Sequence, residues 1–183
     1  AEALRANEIK DVLLSLFQSA DPERSGGAID IRKLFRDGAQ RIRVSASLPI
    51  DAKIDLLLTI GDVQRTLAWY DEASDSIQWS LQLAENPVVP AIARAEAWHA
   101  RSMLRRQRGE NAEAMADSTS AERLLGRVAD RRGSELLLRI LTQRAIMLSQ
   151  LGKPDASLAL LQQAAPVAVH AAPLPALSEI VFL

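Results

Sequence analysis

The stretch "LLLTIGDVQRTLAWYDEASDSI", from Leu56 to Ile77, joins two apolar runs through a short polar and aromatic segment. Within each run the apolar residues recur every three or four positions, as on one face of an α-helix. Its three acids, Asp71, Glu72 and Asp75, are also close enough to suggest a metal site or a shared proton. The apolar spacing favours packing instead, so this stretch predicts two helices paired as a hairpin.

The composition of the 183-residue chain is typical of an all-α globular protein. Hydrophobic residues make up 48% and charged residues 25%, while aromatic residues make up only 4%. Alanine and leucine dominate, and both favour helices. No strand-like alternation of any length interrupts this pattern.

Charge and cysteine content exclude several function classes. The 22 basic and 23 acidic residues give a formal charge of −1, so no global field attracts nucleic acid or an anionic membrane. The chain has no cysteine, which excludes disulfides, thiolate zinc sites and cysteine nucleophiles. No apolar run approaches the roughly 18 to 20 residues of a membrane span, so direct membrane insertion is not expected. Localisation stays open.

The predicted helix breaks recur at a nearly constant period. The first helix of each predicted pair ends at Ala68, Gly109 and Gly152, which lie 41 and 43 residues apart. Such a period is typical of a right-handed helical-hairpin solenoid, in which each pair buries its apolar face against the next. We therefore predict about eight to nine antiparallel helices.

The pattern also predicts two regions. Residues 1–48 are expected to form an N-terminal helical hairpin, whose second helix is capped by Asp30. Residues 49–183 are expected to form three repeats of about 42 residues and the start of a further helix. In this array Ser134 is the predicted cap of the seventh helix, and the eighth is expected from Pro154 to Ala165, before the proline-rich "PVAVHAAPLP".

The repeats resemble the tetratricopeptide (TPR) pattern, W-x2-L-G-x2-Y followed by A-x3-F and P. The first copy matches at Leu57, Ile60, Gly61, Gln64, Ala73, Ile77 and Pro87. The later copies match at Trp98, Arg101, Ser102, Arg105, Ala114 and Ser118, and at Leu141, Arg144, Ala145, Leu148, Ser157 and Leu161. In each copy two small residues lie twelve positions apart, which predicts close approach of the paired helices.

A second resemblance covers roughly Ala3 to Leu83. The segments "LLSLFQSADPERSGG" and "IDIRKLFRDGAQRI", followed by the first repeat, look like the region downstream of the catalytic domain in bacterial serine/threonine protein kinases. The resemblance implies a regulatory TPR region whose parent kinase domain is absent here. Similar arrays also serve as effector or sensor domains of bacterial transcriptional regulators, and the coding sequence upstream of Ala1 distinguishes the two.

No catalytic, cofactor or metal site is predicted. The chain lacks a G-x-G-x-x-G loop, an H-R-D loop and a D-F-G motif, so it is not expected to transfer phosphate. Neither of its two histidines, His99 and His170, lies in an H-E-x-x-H pattern. Gly26 and Gly27 with Ser25 suit an anion nest or, more simply, a turn. The acids Asp71, Glu72 and Asp75 suit the first turn of a helix, with Asp71 as its cap.

One basic stripe leaves two interpretations open. Arg101, Arg105 and Arg108 recur at helical spacing and suit a phosphate or an acidic peptide. The simpler interpretation is a solvated helix face neutralised by nearby acids, Glu96, Glu110 and Glu113. Nucleic-acid binding is not expected, because interleaved aromatic residues and overall basicity are both missing.

In the TPR register, one face of each first helix lines a concave groove that binds a peptide or protein partner. The resemblance assigns to it Asp55, Leu58, Asp62, Arg65, Glu96, His99, Met103, Arg106, Arg139, Thr142, Ile146 and Ser149. The predicted function is thus a non-catalytic interaction or scaffold module. The final apolar segment "LPALSEIVFL" also allows a homodimer.

Overall fold

The structure, a computed structural model, describes residues 30–126 and 130–171. Throughout these residues the fold is all-α, with seven helices and no strand, which confirms the predicted class. The helices are α1 Ile31–Val44, α2 Ile50–Thr66, α3 Tyr70–Ala84, α4 Ala91–Gln107, α5 Asn111–Leu125, α6 Arg131–Gln150 and α7 Pro154–Ala171. The first helix of the predicted N-terminal hairpin and the further helix predicted at the end of the array lie outside the described residues, as do the "SGG" turn and the His170 side chain.

The chain divides into two compact units, Ala1–Ala93 and Arg94–Leu183. The first contains α1, α2 and α3, and the second contains most of α4 with α5, α6 and α7. In the first unit, buried residues of α1, of α2 and of the segment between them form a core cluster against which Phe35, Leu56, Trp79 and Leu83 pack. The predicted boundary at residue 48 stays a prediction.

The same type of turn joins the two helices of three hairpins, α2–α3, α4–α5 and α6–α7. Ala68, Gly109 and Gly152 adopt positive φ angles of 59°, 81° and 71°. In each turn the next amide donates to a carbonyl five residues back, at 2.8 to 2.9 Å: Trp69 N to Gln64 O, Glu110 N to Arg105 O and Lys153 N to Leu148 O. This pattern satisfies carbonyls that a helix end leaves free. The predicted breaks are therefore confirmed at all three positions.

The pairs of small residues twelve positions apart do bring the helices together. A Cβ atom added to Gly61 would lie 3.0 Å from Ile77 Cγ1 and 3.6 Å from the carbonyl oxygen of Ala73. In the other two hairpins a serine hydroxyl donates across the pair, from Ser102 to Ala114 O at 2.7 Å and from Ser157 to Ala145 O at 2.8 Å. Residues of different hairpins are called equivalent below when they lie the same number of positions along the chain from the small residue of their own helix.

Two predicted helix ends were wrong. Asp130, not Ser134, caps α6, and its carboxylate accepts a hydrogen bond from Gly133 N at 2.7 Å. Helix α7 does not end at Ala165 but continues to Ala171 with Pro166 inside it. A proline inside a helix removes one hydrogen bond and crowds the carbonyl four residues back, which the alanine-rich flanks, favourable to helix, offset here. In the described part of the chain, no helix is long and apolar enough to cross a membrane.

Candidate functional site

The predicted groove residues lie on the first helices of the three hairpins, and they differ in accessibility. We call them the first-helix face: Asp55, Leu58, Asp62 and Arg65 on α2, Glu96, His99, Met103 and Arg106 on α4, and Arg139, Thr142, Ile146 and Ser149 on α6. All of the α6 members are exposed, whereas those on α4 are half-buried. On α2 only Asp62 is exposed. The α6 part of the face is therefore the most accessible to a partner.

On α2, two members of the face form an ion pair with each other. Arg65 donates to Asp62 Oδ1 from Nη2 at 2.5 Å and from Nε at 3.1 Å. The Arg65 side chain is largely buried, while Asp62 is exposed. Because the Arg65 guanidinium is paired with Asp62 and largely buried, the Asp62 carboxylate is the charged group of this part of the face that solvent reaches.

An ion pair missed by the sequence analysis joins α4 and α6. Arg132 at the start of α6 donates to both carboxylate oxygens of Glu96, each at 3.1 Å. The two first helices of the second unit are thus adjacent at this end. The Glu96 carboxylate is therefore paired within the protein. Arg139, farther along α6, is an exposed cation of the face.

Arg106, on the C-terminal half of α4, has a side-chain donor without a hydrogen-bond partner among the described residues. Arg106 is half-buried, and its Nε is shielded from solvent without a hydrogen-bond partner among the described residues. Buried donors in folded proteins nearly always have a partner, often water or a ligand. Met103 and His99, one and two turns before Arg106, are half-buried on the same helix.

Arg101 and Arg105 of the basic stripe on α4 bind an internal carboxylate, so neither of them is a solvated cation available to a phosphate or a peptide. Asp117 on α5 is 3% exposed and accepts from Arg101 at 2.8 and 2.9 Å and from Arg105 at 2.8 Å. Of the acids expected to neutralise the stripe, Glu110 does form an ion pair with Arg105, at 3.9 Å, whereas Glu96 binds Arg132 instead. Two of the three arginines are therefore structural.

The same position of the first hairpin holds a neutral pair. Gln64 and Ser76 are equivalent to Arg105 and Asp117, and the Ser76 hydroxyl donates to Gln64 Oε1 at 2.8 Å. Both side chains are buried. The Arg101 guanidinium also stacks on the ring of Trp98, 4.5 Å from its centroid. In the first two hairpins this position is thus a packing contact whose chemistry differs, neutral in one and ionic in the other.

The acids of the opening stretch do not form a shared site. Glu72 is 8% exposed, while Asp71 and Asp75 are exposed. Asp71 is not the cap of α3, because the cap position is Trp69 and no side chain bonds there. Among the described residues, no group of three or more histidines and acids is arranged to hold a metal ion.

Glu72 instead anchors α1. Arg32 donates to its two carboxylate oxygens at 2.6 and 2.8 Å, and Arg36 adds a third bond at 2.9 Å. Arg32 also lies over the ring of Trp69, which packs edge-on against Phe35 at 6.2 Å between centroids. No local pattern predicts this cluster, since its members lie up to 40 residues apart along the chain.

These contacts make the carboxyl of Glu72 unusually acidic. The hydrogen bonds from Arg32 lower its pKa most, burial opposes them, and its own backbone amide and Arg36 lower it further, to about 2 from an ordinary value of 4.5. A depressed folded-state pKa stabilises the folded state above the unfolded pKa, and that stabilisation is lost as the pH falls toward the folded value.

We therefore expect Glu72→Gln to lower the melting temperature most at neutral pH. The difference from wild type should shrink as the pH falls from 4.5 to about 2, because the wild-type carboxylate is then protonated. Thermal unfolding monitored by circular dichroism at several pH values measures this. The control is Glu113→Gln, since Glu113 is the equivalent but exposed residue of α5. A difference independent of pH would contradict the assignment.

In the part of the chain that the structure describes, the fold is thus all-α, with three hairpins of one turn type. No family model, curated protein or solved structure matches the chain.

Proposed function

We propose that the chain is a non-catalytic protein-interaction module of TPR type that binds a peptide or protein segment along its first-helix face. The observation that carries the proposal is the recurrence of one hairpin, with the same left-handed turn and the same twelve-residue contact. Repeated hairpins of this kind stack into arrays whose exposed helix faces bind extended partners. The proposal includes no cofactor, no nucleic acid and no direct membrane insertion.

The charges of the second unit favour an acidic partner segment. Arg139 is exposed on α6, and Arg106 on α4 has a buried Nε without a partner among the described residues. Guanidinium groups bind carboxylates through paired, charge-assisted hydrogen bonds. Thr142, one turn after Arg139 and exposed, supplies a hydroxyl that can donate to or accept from a peptide backbone.

Peptide selection against the whole chain tests this function. We expect a random display library to yield acidic peptides, and Arg139→Glu to weaken their binding about tenfold, since charge reversal replaces attraction by repulsion. The dissociation constant can be measured by fluorescence anisotropy at two salt concentrations. The control is Arg123→Glu, because Arg123 is an exposed arginine on a second helix, α5.

Two outcomes would contradict the proposal. One is the failure of every selected peptide to bind in solution. The other is an equal effect of Arg139→Glu and Arg123→Glu, which would place binding outside the first-helix face.

We also propose that the parent protein is a bacterial serine/threonine kinase that this module regulates. The support is the sequence resemblance over Ala3 to Leu83, and a TPR effector or sensor domain of a transcriptional regulator is the alternative. Kinase motifs in the coding sequence upstream of Ala1 would support the first, and a winged-helix pattern would support the second.

A further inference from the structure

On α6, a cation and a large aliphatic side chain are exposed on the same side, about two turns apart. Arg139 is exposed and has no ion pair among the described residues, and Ile146 is 44% exposed. Glu135, the acid one turn before Arg139, binds Arg131 instead, at 2.9 Å. Seven residues of an α-helix span about 10.5 Å and nearly two turns, so the side chains of Arg139 and Ile146 leave α6 in almost the same direction.

Neither α2 nor α4 has this pair. At the equivalent positions α2 has Asp55 and Asp62, and α4 has Glu96 and Met103. Asp62 and Glu96 are both bound to arginines of the chain itself, and Met103 is half-buried. The α6 part of the first-helix face is therefore the part that combines a cation without an ion pair and an exposed aliphatic side chain.

A buried amide with an unpaired donor lies between these two residues. Gln143 is 9% exposed, and its Nε2 is shielded from solvent without a hydrogen-bond partner among the described residues. It follows Arg139 by four positions and precedes Ile146 by three, and residues at these spacings are neighbours on a helix surface. Three different contacts, ionic, polar and apolar, are thus adjacent along α6.

The unpaired donor of Gln143 indicates that its acceptor comes from outside the chain. Buried donors without a partner cost free energy, so folded proteins rarely keep them. The equivalent residues of the other first helices avoid this cost. The Thr59 hydroxyl donates to Asp55 O at 2.8 Å, and Ala100 has no polar side-chain group. Rotation of the Gln143 side chain toward the surface breaks no hydrogen bond of its Nε2.

We propose that the partner segment on α6 is extended and has an acidic and an aliphatic residue three positions apart. The acid binds Arg139, the aliphatic side chain packs on Ile146, and a main-chain carbonyl between them accepts from Gln143. Three residues of a polyproline II helix span about 9.3 Å and complete one turn, so side chains at this spacing point to one side. This inference rests on the proposed function and specifies the partner of the same face.

The amide of Gln143 favours an extended partner over a helical one. Inside a helix the carbonyls accept from the amides of the helix itself, so none is available to Gln143. A polyproline II segment has no internal hydrogen bonds and offers every carbonyl. On a helical partner, the acidic and aliphatic residues would have to lie about seven positions apart to match the same length of α6. The spacing in the partner therefore distinguishes the two.

Displayed peptides of fixed spacing test the proposal against the whole chain. Four libraries of dodecamers contain one glutamate and one leucine, in either order, at separations of two, three, four or seven positions, and all other positions are random. We expect selection to enrich the separation of three. Its consensus peptide, labelled with fluorescein, should bind about tenfold more tightly than the same peptide with one alanine inserted between the two residues.

Enrichment of any other separation would overturn the proposal, and a preference for seven would indicate a helical partner. Equal enrichment of all four libraries would overturn it too, since the face would then bind the acid alone. Failure of every library to yield a peptide that binds in solution would contradict the proposed function itself. The failure of this inference and the failure of the proposed function are thus distinguishable.

Replacement of Ile146 tests the apolar contact. We expect Ile146→Asp to weaken binding of the consensus peptide about tenfold, because a carboxylate replaces the aliphatic surface. The control is Val88→Asp, since Val88 is 82% exposed and lies outside the first-helix face. Circular dichroism shows whether both variants keep the helical content of the wild type. Equal affinities of the two variants would place the aliphatic residue of the partner elsewhere.

Replacement of Gln143 by methionine separates binding from packing. Methionine has a similar volume but no donor, so we expect a melting temperature no lower than that of the wild type. The same variant should bind the consensus peptide about fivefold more weakly, because the hydrogen bond to its main chain is lost. A lower melting temperature with unchanged affinity would overturn the role of Gln143, since its amide would then serve the fold alone.

Discussion

Replacement of Arg101 and Arg105 by methionine should lower the free energy of unfolding by about 3 to 5 kcal/mol. Both arginines bind the carboxylate of Asp117, which is 3% exposed. Methionine keeps much of the side-chain volume but removes every charge-assisted bond that this carboxylate receives from α4. An uncompensated buried charge is costly, because the interior does not replace the hydration that the carboxylate loses.

Urea unfolding at neutral pH measures the loss, and a third substitution tests its cause. Adding Asp117→Leu to the double variant should recover most of the stability, since a complete apolar replacement of a buried ion group is often neutral. Arg123→Met, at an exposed position of α5, is the control and should change stability by less than about 0.5 kcal/mol. If the double variant lost no more than this control, Asp117 would not depend on the two arginines.

Substitution of Gly61 by leucine should destabilise the first hairpin by about 3 kcal/mol. A Cβ atom at this position would already lie 3.0 Å from Ile77 Cγ1 and 3.5 Å from Ser76 Cβ. The branched end of leucine has no space beyond it, so α2 and α3 must move apart. Gly61→Ala should have a much smaller net effect, because alanine gains about 1 kcal/mol of helix propensity against the same contact.

The matched control for this substitution is Gly126→Leu. Gly126 ends α5 with a helical φ of −59°, and a Cβ atom there would meet only Arg123 O, at 3.6 Å. We expect its melting temperature to stay close to that of the wild type. Equal losses in Gly61→Leu and Gly126→Leu would show that the close contact of the hairpin is not what limits residue size at Gly61.

Local signals in the sequence were sufficient for the helices and their breaks. Apolar spacing predicted the seven helices that the structure describes, and the twelve-residue pairs such as Ser102 and Ala114 are in contact. The positive φ angles fall at Ala68, Gly109 and Gly152, where the period placed the breaks. Helical periodicity and turn chemistry act over a few residues, so the linear sequence records them directly.

Local sequence patterns did not predict which charged side chains form ion pairs with each other. The acids near Arg101 in sequence were expected to neutralise it, but its partner is Asp117, sixteen residues away. Glu72 was expected to be an exposed first-turn acid, and Arg32 and Arg36 bury it against α1. Both pairings depend on the rotation of one helix against another, which the spacing along a single helix does not specify.

The sequence by itself determined the helical class, the spacing of the three helix breaks and the small residues at which paired helices touch. Those properties follow from local backbone preferences and from the periodicity of apolar side chains. Only the tertiary structure decided which charges are internal and which remain exposed. It assigned Arg101 and Arg105 to a buried carboxylate and left Arg139 exposed, because desolvation and pairing are set by packed neighbours from other helices.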